Sequence, residues 1–510
     1  MHIFAKFLDK KKMKFSTFSL KILSYACFCT FLSCANRLNT GYTPFTKLAP
    51  EKLRQDVDLL KKIVETYHPS LYWYTPKDSI DFYFNTISNS ITDSITEISF
   101  KNKIAWLVEK IKCGHTAVSF SKRFNKIAAK YQYPQFPLAL KVWDDSAVVI
   151  ASRYRNDAVF KRGTIVHSIN GQPIKALLDS FHQFISSDGY SVNYKNVVLS
   201  SNFPGWYKTV FGVDSLFKIV YYDSTKTLQH TTIRAFTPVK DTSQKTAQTP
   251  AITSRKLTRK EKLTAKRYLQ VDTVNASAYM RLNTFSPAAL KKFFRQSFKT
   301  IEQYKIQHLI IDLRENGGGR VVNQFRLTKY LATKPFKIGD TVAAISRSAK
   351  YSRYIKPNII RWLSTNFEAK KMEDGRFHYR RYETKLYQPN SNKHFNGAVY
   401  LIQGGRSFSA ATMFISSLQH QSNVIVVGEE TGGGYYGNSA MHIPTITLPY
   451  SELQITLPAY RLVIDSKRPK GRGILPDVYI PPNSAAIQHN QDPKLLWIEK
   501  DIKTKKARQQ

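Results

Sequence analysis

Two glycine-bearing stretches carry the residues whose types and spacing could do chemistry. His308-Leu309-Ile310-Ile311-Asp312-Leu313-Arg314-Glu315-Asn316-Gly317-Gly318-Gly319 reads as a buried strand running into a turn whose backbone amides can face an anion. Gly404-Gly405-Arg406-Ser407-Phe408-Ser409-Ala410-Ala411 reads as a strand end, a sharp turn and a helix start, with a serine where the helix begins. A serine hydroxyl is a poor nucleophile until a base takes its proton, and the oxyanion it generates needs donors already in place. Ser409 would supply the hydroxyl and the Ala410 amide one donor, with the turn Gly317-Gly318-Gly319 supplying another. Singly these signals are bland, because a glycine turn is often only a turn and a serine at a helix start is more often an N-cap. Their pairing points to acyl transfer at a serine.

Positioning them requires two crossover units. Met280 to Phe285 opens a strand, and Leu290, Phe293, Phe294 and Ile301 mark a helix returning to the strand His308 to Leu313. Ala398 to Gln403, a helix from Ser409 to about Gln419, and Val424 to Val427 form the second unit. The expected fold is α/β, with a catalytic core over 271–482 interrupted by an insertion at 340–392 that is a lid or a side wall. Upstream, Leu53, Val57, Leu60 and Val64 recur at helical spacing, and the helix stops before His68-Pro69. Ile104, Leu107, Val108 and Ile111 predict another helix capped by Gly114, giving a helical domain over 40–125 that hands His115 to a strand at 116–120. Residues 135–236 read as β-rich, with an Asp144-Asp145 turn and an Asn170-Gly171 hairpin before a helix at 175–185. This last piece resembles a PDZ domain, whose groove accepts a peptide as an added strand. Residues 237–268 read as a basic linker and 483–510 as a polar tail.

At 510 residues, with 42% hydrophobic and 13% aromatic content, the chain is long enough for several cores. Lysines 10, 11, 12 and 14 precede an apolar run from Phe18 to Leu32, the pattern of a secretory signal over 1–34. Phe31-Leu32-Ser33-Cys34 resembles a bacterial lipobox, which implies a lipid anchor at Cys34 and a place in the cell envelope, facing the periplasm. Cys27, Cys29 and Cys34 lie in this leader, leaving Cys113 alone downstream, so a disulfide framework or a cysteine metal cluster is excluded. A formal charge of +41 would suggest nucleic acid, but the excess is spread along the chain, no nucleic-acid fold signature surrounds it and export argues against it.

Leu309 to Gly319, the Ser409 segment and Val426-Val427-Gly428-Glu429-Glu430-Thr431-Gly432-Gly433 resemble the serine peptidases that include the C-terminal processing (tail-specific) proteases and the tricorn core. The order of parts is similar too: helical N-terminal domain, PDZ-like module, then a core related to the crotonase and Clp protease folds. The resemblance implies an exported endopeptidase acting on peptide or protein, with neither metal nor organic cofactor. Tail-specific enzymes use a lysine base after the nucleophile; the aligned position here is Gly434, and no lysine occurs between Lys393 and Lys467. The tricorn-like branch uses a histidine from the N-terminal part, and Cys113-Gly114-His115-Thr116 resembles that motif, which makes His115 the general base. His420, His442 and His308 are weaker competitors. Tricorn-like enzymes carry a serine where this chain has Gly114, and a glutamate shortly before the Gly-x-x-Pro-Asp stretch, here Gly473-Ile474-Leu475-Pro476-Asp477, where this chain has Lys470. Asp465 is then the candidate orienting acid by proximity in sequence, with Glu429 another whose place in the family is structural. Asp312 and Arg314 read as holding the glycine turn, and a thiol mechanism at Cys113 is disfavoured because adjacent side chains diverge. The alternative function is a catalytically inactive peptide- or ligand-binding protein on the same fold. The oligomeric state is not encoded in any of these motifs.

Overall fold

The computed structural model describes residues 41–238, 257–357 and 362–507. The expected leader with Cys34, and residues 239–256 of the expected linker, lie outside the described residues. Among the described residues no helix is long and apolar enough to cross a membrane.

The core is a sheet in the order Arg267–Asp272, Ser277–Leu282, His308–Asp312, Ala398–Gln403, Val424–Gly428, Val478–Tyr479. Every neighbouring pair is parallel except the first. Its central strands are continuously apolar because both faces are covered. Leu309, Ile311, Val399, Leu401 and Val426 pack on one side with the helices Leu290–Gln303 and Ala410–Leu418. Ile310, Tyr400, Ile402 and Val427 pack on the other with Ile498 and Ile502. The second cover comes from the helix Pro493–Ala507, so the stretch expected to be a polar tail is instead part of the core. Its sparse apolar residues hide this, although burying Ile498 and Ile502 contributes about 1.5–3 kcal/mol each.

The expected linker also ends early. Thr258 and Glu261 form a reciprocal capping box on the helix Arg259–Thr264, which leads directly into the first core strand.

The N-terminal helices are Pro50–Tyr67, Lys77–Asn89 and Glu97–Glu109. The last ends before Gly114, and the left-handed residue behind it is Lys112, at φ 58°. Gly114 is therefore no helix cap. The next strand, Val118–Ser119, joins a four-stranded sheet with Gln454–Thr456, Thr445–Thr447 and Ile355–Lys356. Leu53, Leu60, Ile104 and Leu107 accordingly share one core with Ile446, Leu453 and Ile455 from the far end of the chain. Asp56 reinforces the junction by accepting the backbone N–H groups of Tyr450 and Ser451, the latter at 2.8 Å.

The 340–392 insertion is built in as a wall. Its strand Thr341–Ala344 lies between Phe377–His378 and Tyr460–Val463 in an antiparallel sheet that continues to Gly437–Ala440. The β-rich body contains the expected hairpin, with Asn170 at φ 51° and Gly171 at φ 79°. One edge of its sheet, Leu138–Trp143, faces the helix Val192–Ser201, whose Ser200 hydroxyl accepts the Val142 N–H at 2.9 Å.

Candidate active site

The strand Ala398–Gln403 ends in a turn that delivers Ser409 directly before the helix Ala410–Leu418. Ser409 adopts φ 55° and ψ −120°, a conformation that costs a non-glycine residue about 1–3 kcal/mol and persists only where the surroundings impose it. Ser407 supplies part of that constraint: its hydroxyl donates to the Leu313 carbonyl at 2.8 Å and accepts from the Gly404 N–H. The Ser409 side chain makes no capping hydrogen bond, which removes the ordinary reason for a serine at this position. It is partly exposed, while Phe408 and Ala410 on either side are buried.

The glycine turn arrives from the neighbouring strand. Asp312 and Arg314 lock it with a two-pronged pair, Nε to Oδ1 at 3.0 Å and Nη2 to Oδ2 at 2.7 Å, as the sequence suggests. Gly318, at φ 94°, presses against Ser409: a β-carbon there would stand 2.8 Å from Ser409 Cβ and 3.0 Å from the Ala410 nitrogen. The three glycines differ in what their amides do. The Gly318 N–H already donates to Asn316 Oδ1 at 2.9 Å, so it is not the donor expected for an oxyanion. Gly319 abuts Phe285 and Ser286, extending the strand pairing there. Gly317 is exposed and unobstructed. Ala410, as the first residue of its helix, has an amide with no acceptor one turn back.

His115 reaches this centre from the N-terminal body. Its carbonyl accepts the Thr456 hydroxyl at 2.7 Å, and Thr456 also receives the Ala117 N–H, so the pairing with Gln454–Thr456 holds the His115 turn against the core. The imidazole packs on Phe408, the residue before Ser409, with ring centroids 4.7 Å apart, and Tyr194 stacks on the same phenyl ring at 4.8 Å. Desolvation lowers the His115 pKa to about 4, leaving a neutral imidazole at physiological pH, and its Nδ1 has no partner among the described residues. His68, also kept neutral by burial with a pKa down to about 3, bonds Thr116 Oγ1 through Nε2 at 2.8 Å.

The other candidates lie elsewhere. Asp465 closes a local turn, Oδ2 accepting Arg468 Nε at 2.7 Å and Oδ1 the Lys467 N–H, and it is no partner of His115 among the described residues. It is therefore not the acid that orients this imidazole. Glu429 pairs with Lys494 at 2.6 Å, a structural role. His420 bonds the Tyr435 hydroxyl, His442 packs near Tyr460, and His308 sits at the opposite end of its strand from the glycine turn. Lys470 reaches the Trp73 carbonyl. Burial pushes the Cys113 thiol up to about 12, which makes it inert as a nucleophile.

One carboxylate escaped the sequence reading. Asp188, buried in the β-rich body, accepts the Gly114 N–H at 2.8 Å and the Gly434 N–H at 3.3 Å. Nothing in the local string Ser187-Asp188-Gly189 marks it, because its partners come from distant parts of the chain.

Residues 276–480 match the family model described as peptidase family S41. Among solved structures, mature CPAF is similar over 89% of this chain and 97% of its own, with a TM-score of 0.61 at 11% identity. Mature CPAF complexed with lactacystin covers 89% of this chain and 98% of its own, at a TM-score of 0.60 and 12% identity. At these identities the likeness is one of fold. No curated protein matches the sequence.

Proposed function

We propose that the chain, whose residues 276–480 match peptidase family S41, is a serine peptidase that cleaves peptide bonds by acylation of Ser409 with His115 as general base. The observation that carries this reading is the strained Ser409, its hydroxyl uncommitted to the helix cap, beside a phenyl ring that also carries the His115 imidazole. In the proposed mechanism the neutral imidazole takes the hydroxyl proton as Ser409 Oγ attacks the scissile carbonyl, then returns it to the leaving amine. The Ala410 amide, with Gly317 as second donor, stabilises the oxyanion. Water admitted after the amine leaves would hydrolyse the acyl-enzyme by the same base.

The wider setting is part of the proposal. The leader and Cys34 support an exported, lipid-anchored protein of the cell envelope facing the periplasm, acting on peptide or protein substrates. The PDZ-like body would capture an extended segment as an added strand at Leu228–Arg234, because the other sheet edge has its Val142 N–H taken by Ser200. Mass spectrometry of the membrane-extracted protein, showing diacylglycerol on Cys34 or an unmodified chain cut elsewhere, decides the anchor.

A fluorophosphonate probe tests the chemistry. Wild-type protein should be labelled at Ser409, labelling should vanish in Ser409→Ala, and His115→Ala should slow it by about 100-fold or more. Undiminished labelling in His115→Ala would remove the base. The competing reading, a catalytically inactive peptide-binding protein, is favoured by the unpartnered Nδ1 of His115, and absence of labelling together with tight peptide binding would establish it.

A further inference from the structure

Three parts of the chain meet at the candidate active site, and one side chain, that of Asp188, bonds the backbone of the other two. Asp188 belongs to the loop between the helices Ile174–His182 and Val192–Ser201 of the β-rich body. One of its oxygens receives the N–H of Gly114, the residue before His115. The other receives the N–H of Gly434, in the segment that follows the nucleophile helix and its strand. That segment is itself against the nucleophile, since a β-carbon on Gly433 would lie 3.0 Å from the Ser409 nitrogen. Gly114 has no room for a side chain, because a β-carbon would meet the Phe408 ring at 2.6 Å and the Asp188 nitrogen at 3.2 Å. The carboxylate is thus a clasp between the turn that carries the base and the segment that walls the nucleophile, and the contact on both sides is close enough to fix the spacing.

We propose that Asp188 is the positioning acid of this peptidase, setting the His115 turn against the Ser409 segment through the Gly114 and Gly434 amides. The proposal rests on the reading of Ser409 as nucleophile and His115 as base. It assigns to a residue of the β-rich body the task that neither Lys470 nor Asp465 performs here. Acting through backbone, Asp188 leaves the imidazole neutral and fixes where it stands.

Burying this carboxyl costs stability once it is ionised. Burial raises its pKa to about 7, against the lowering effect of the two amides. Around it stand Tyr74 from the segment after the first helix, Lys112 and Cys113 from the turn before His115, and Tyr194 from the helix that follows. The glycine segment offers backbone only at Gly434. An acid whose folded pKa lies above its unfolded value is bound to its proton more tightly in the folded state. Ionising it therefore removes stability as pH rises from about 3.8 to about 7, and the loss is complete above that. Ionisation also makes both oxygens charged acceptors, which tightens their bonds to the two amides. Activity and stability consequently move in opposite directions across this interval.

The test is the pH dependence of fluorophosphonate labelling at Ser409 in wild type and Asp188→Asn, with thermal melts of both at pH 8. Wild type should show two rises in rate, one near pH 4 from His115 and one near pH 7 from Asp188. Asp188→Asn should keep the first, lose the second and reach a plateau lower by roughly 10- to 100-fold, while melting at or above the wild-type temperature. A mere packing residue would instead lower the melting temperature and leave the profile shape intact. Labelling of the variant within threefold of wild type, or a surviving rise near pH 7, overturns the proposal. If the variant does not fold, the wild-type profile decides alone: no rise near pH 7 overturns it. Wild type that is never labelled sinks the serine-nucleophile reading and the clasp with it, whereas labelled wild type beside an unaffected variant sinks the clasp alone.

Discussion

The two halves of the candidate site are built in opposite ways. The half around Ser409, the proposed nucleophile, is local: Gly318 approaches it from the turn after an adjoining parallel strand and Ala410 follows it in the chain, and each strand hands over its turn within a few residues. The half around His115, the proposed base, is assembled at long range, with His115 held by Thr456 from the far end of the chain, its turn tied to Asp188 from the middle, and its ring set on Phe408. In a site so divided, the proposed oxyanion donors beside Ser409 are placed locally, while the placing of the proposed base depends on long-range contacts. Perturbations of the first half should therefore abolish chemistry abruptly, and those of the second should weaken it by degrees.

The sharpest way to break this comparison is Ser409→Gly. Removing the hydroxyl should reduce peptide hydrolysis by roughly 10³-fold or more. Glycine also accepts the positive φ without penalty, so stability should rise by about 1 kcal/mol in chemical denaturation. A loss of activity with no gain in stability would mean that the backbone at Ser409 is not under strain.

Gly318→Ala comes next. Its φ of 94° and the 2.8 Å approach to Ser409 Cβ leave no place for a methyl group. Activity should fall about 100-fold and stability by about 1–3 kcal/mol, measured as kcat and as the denaturant midpoint. Activity near wild type would show that the turn can withdraw from the nucleophile, and the nucleophile half would then be less rigid than described.

Thr456→Val probes the other half. It removes the hydroxyl that donates to the His115 carbonyl and accepts the Ala117 N–H, at a cost of about 1 kcal/mol, while keeping the shape of the strand. The expected outcome is a fall in kcat of about 3- to 10-fold with KM unchanged, because the base is displaced and the substrate groove is not. An effect as large as that of Gly318→Ala would erase the distinction between the halves.

The same division explains what could be read in the sequence. Strands such as Ala398–Gln403 and the helix Leu290–Gln303 were legible because burial imposes a period on neighbouring residues. Ser409 and the glycine turn were legible as motifs for the same reason of locality. His115 came from a resemblance, and nothing in its surroundings announces a base. Asp188, His68 and Thr456 left no local mark, since each is defined by partners brought together only by folding. Gly114 looks like a helix cap in sequence because glycine serves both left-handed turns and close approaches, and only tertiary structure shows that here it permits the approach of Phe408. The helix Pro493–Ala507 looked like a polar tail because the requirement for it lies in the sheet it covers.

The smallest effect is expected at Cys113, where the rival thiol mechanism would place the largest. The residue sits directly beside the Gly114-His115 turn, so proximity alone cannot dismiss it. Its chemistry can: the thiol is buried, and desolvation together with the nearby Asp188 carboxylate raises its pKa to about 12. At pH 8 the thiol therefore stays protonated, and a protonated thiol is a poor nucleophile. Cys113→Ser should therefore keep kcat/KM within about threefold of wild type, the residual loss reflecting a hydroxyl placed in a site fitted to sulfur. Iodoacetamide at pH 8 should leave the wild-type rate unchanged over an hour. Inactivation by iodoacetamide that disappears in Cys113→Ser would move the nucleophile across the site, from the strained serine of the core to the N-terminal turn.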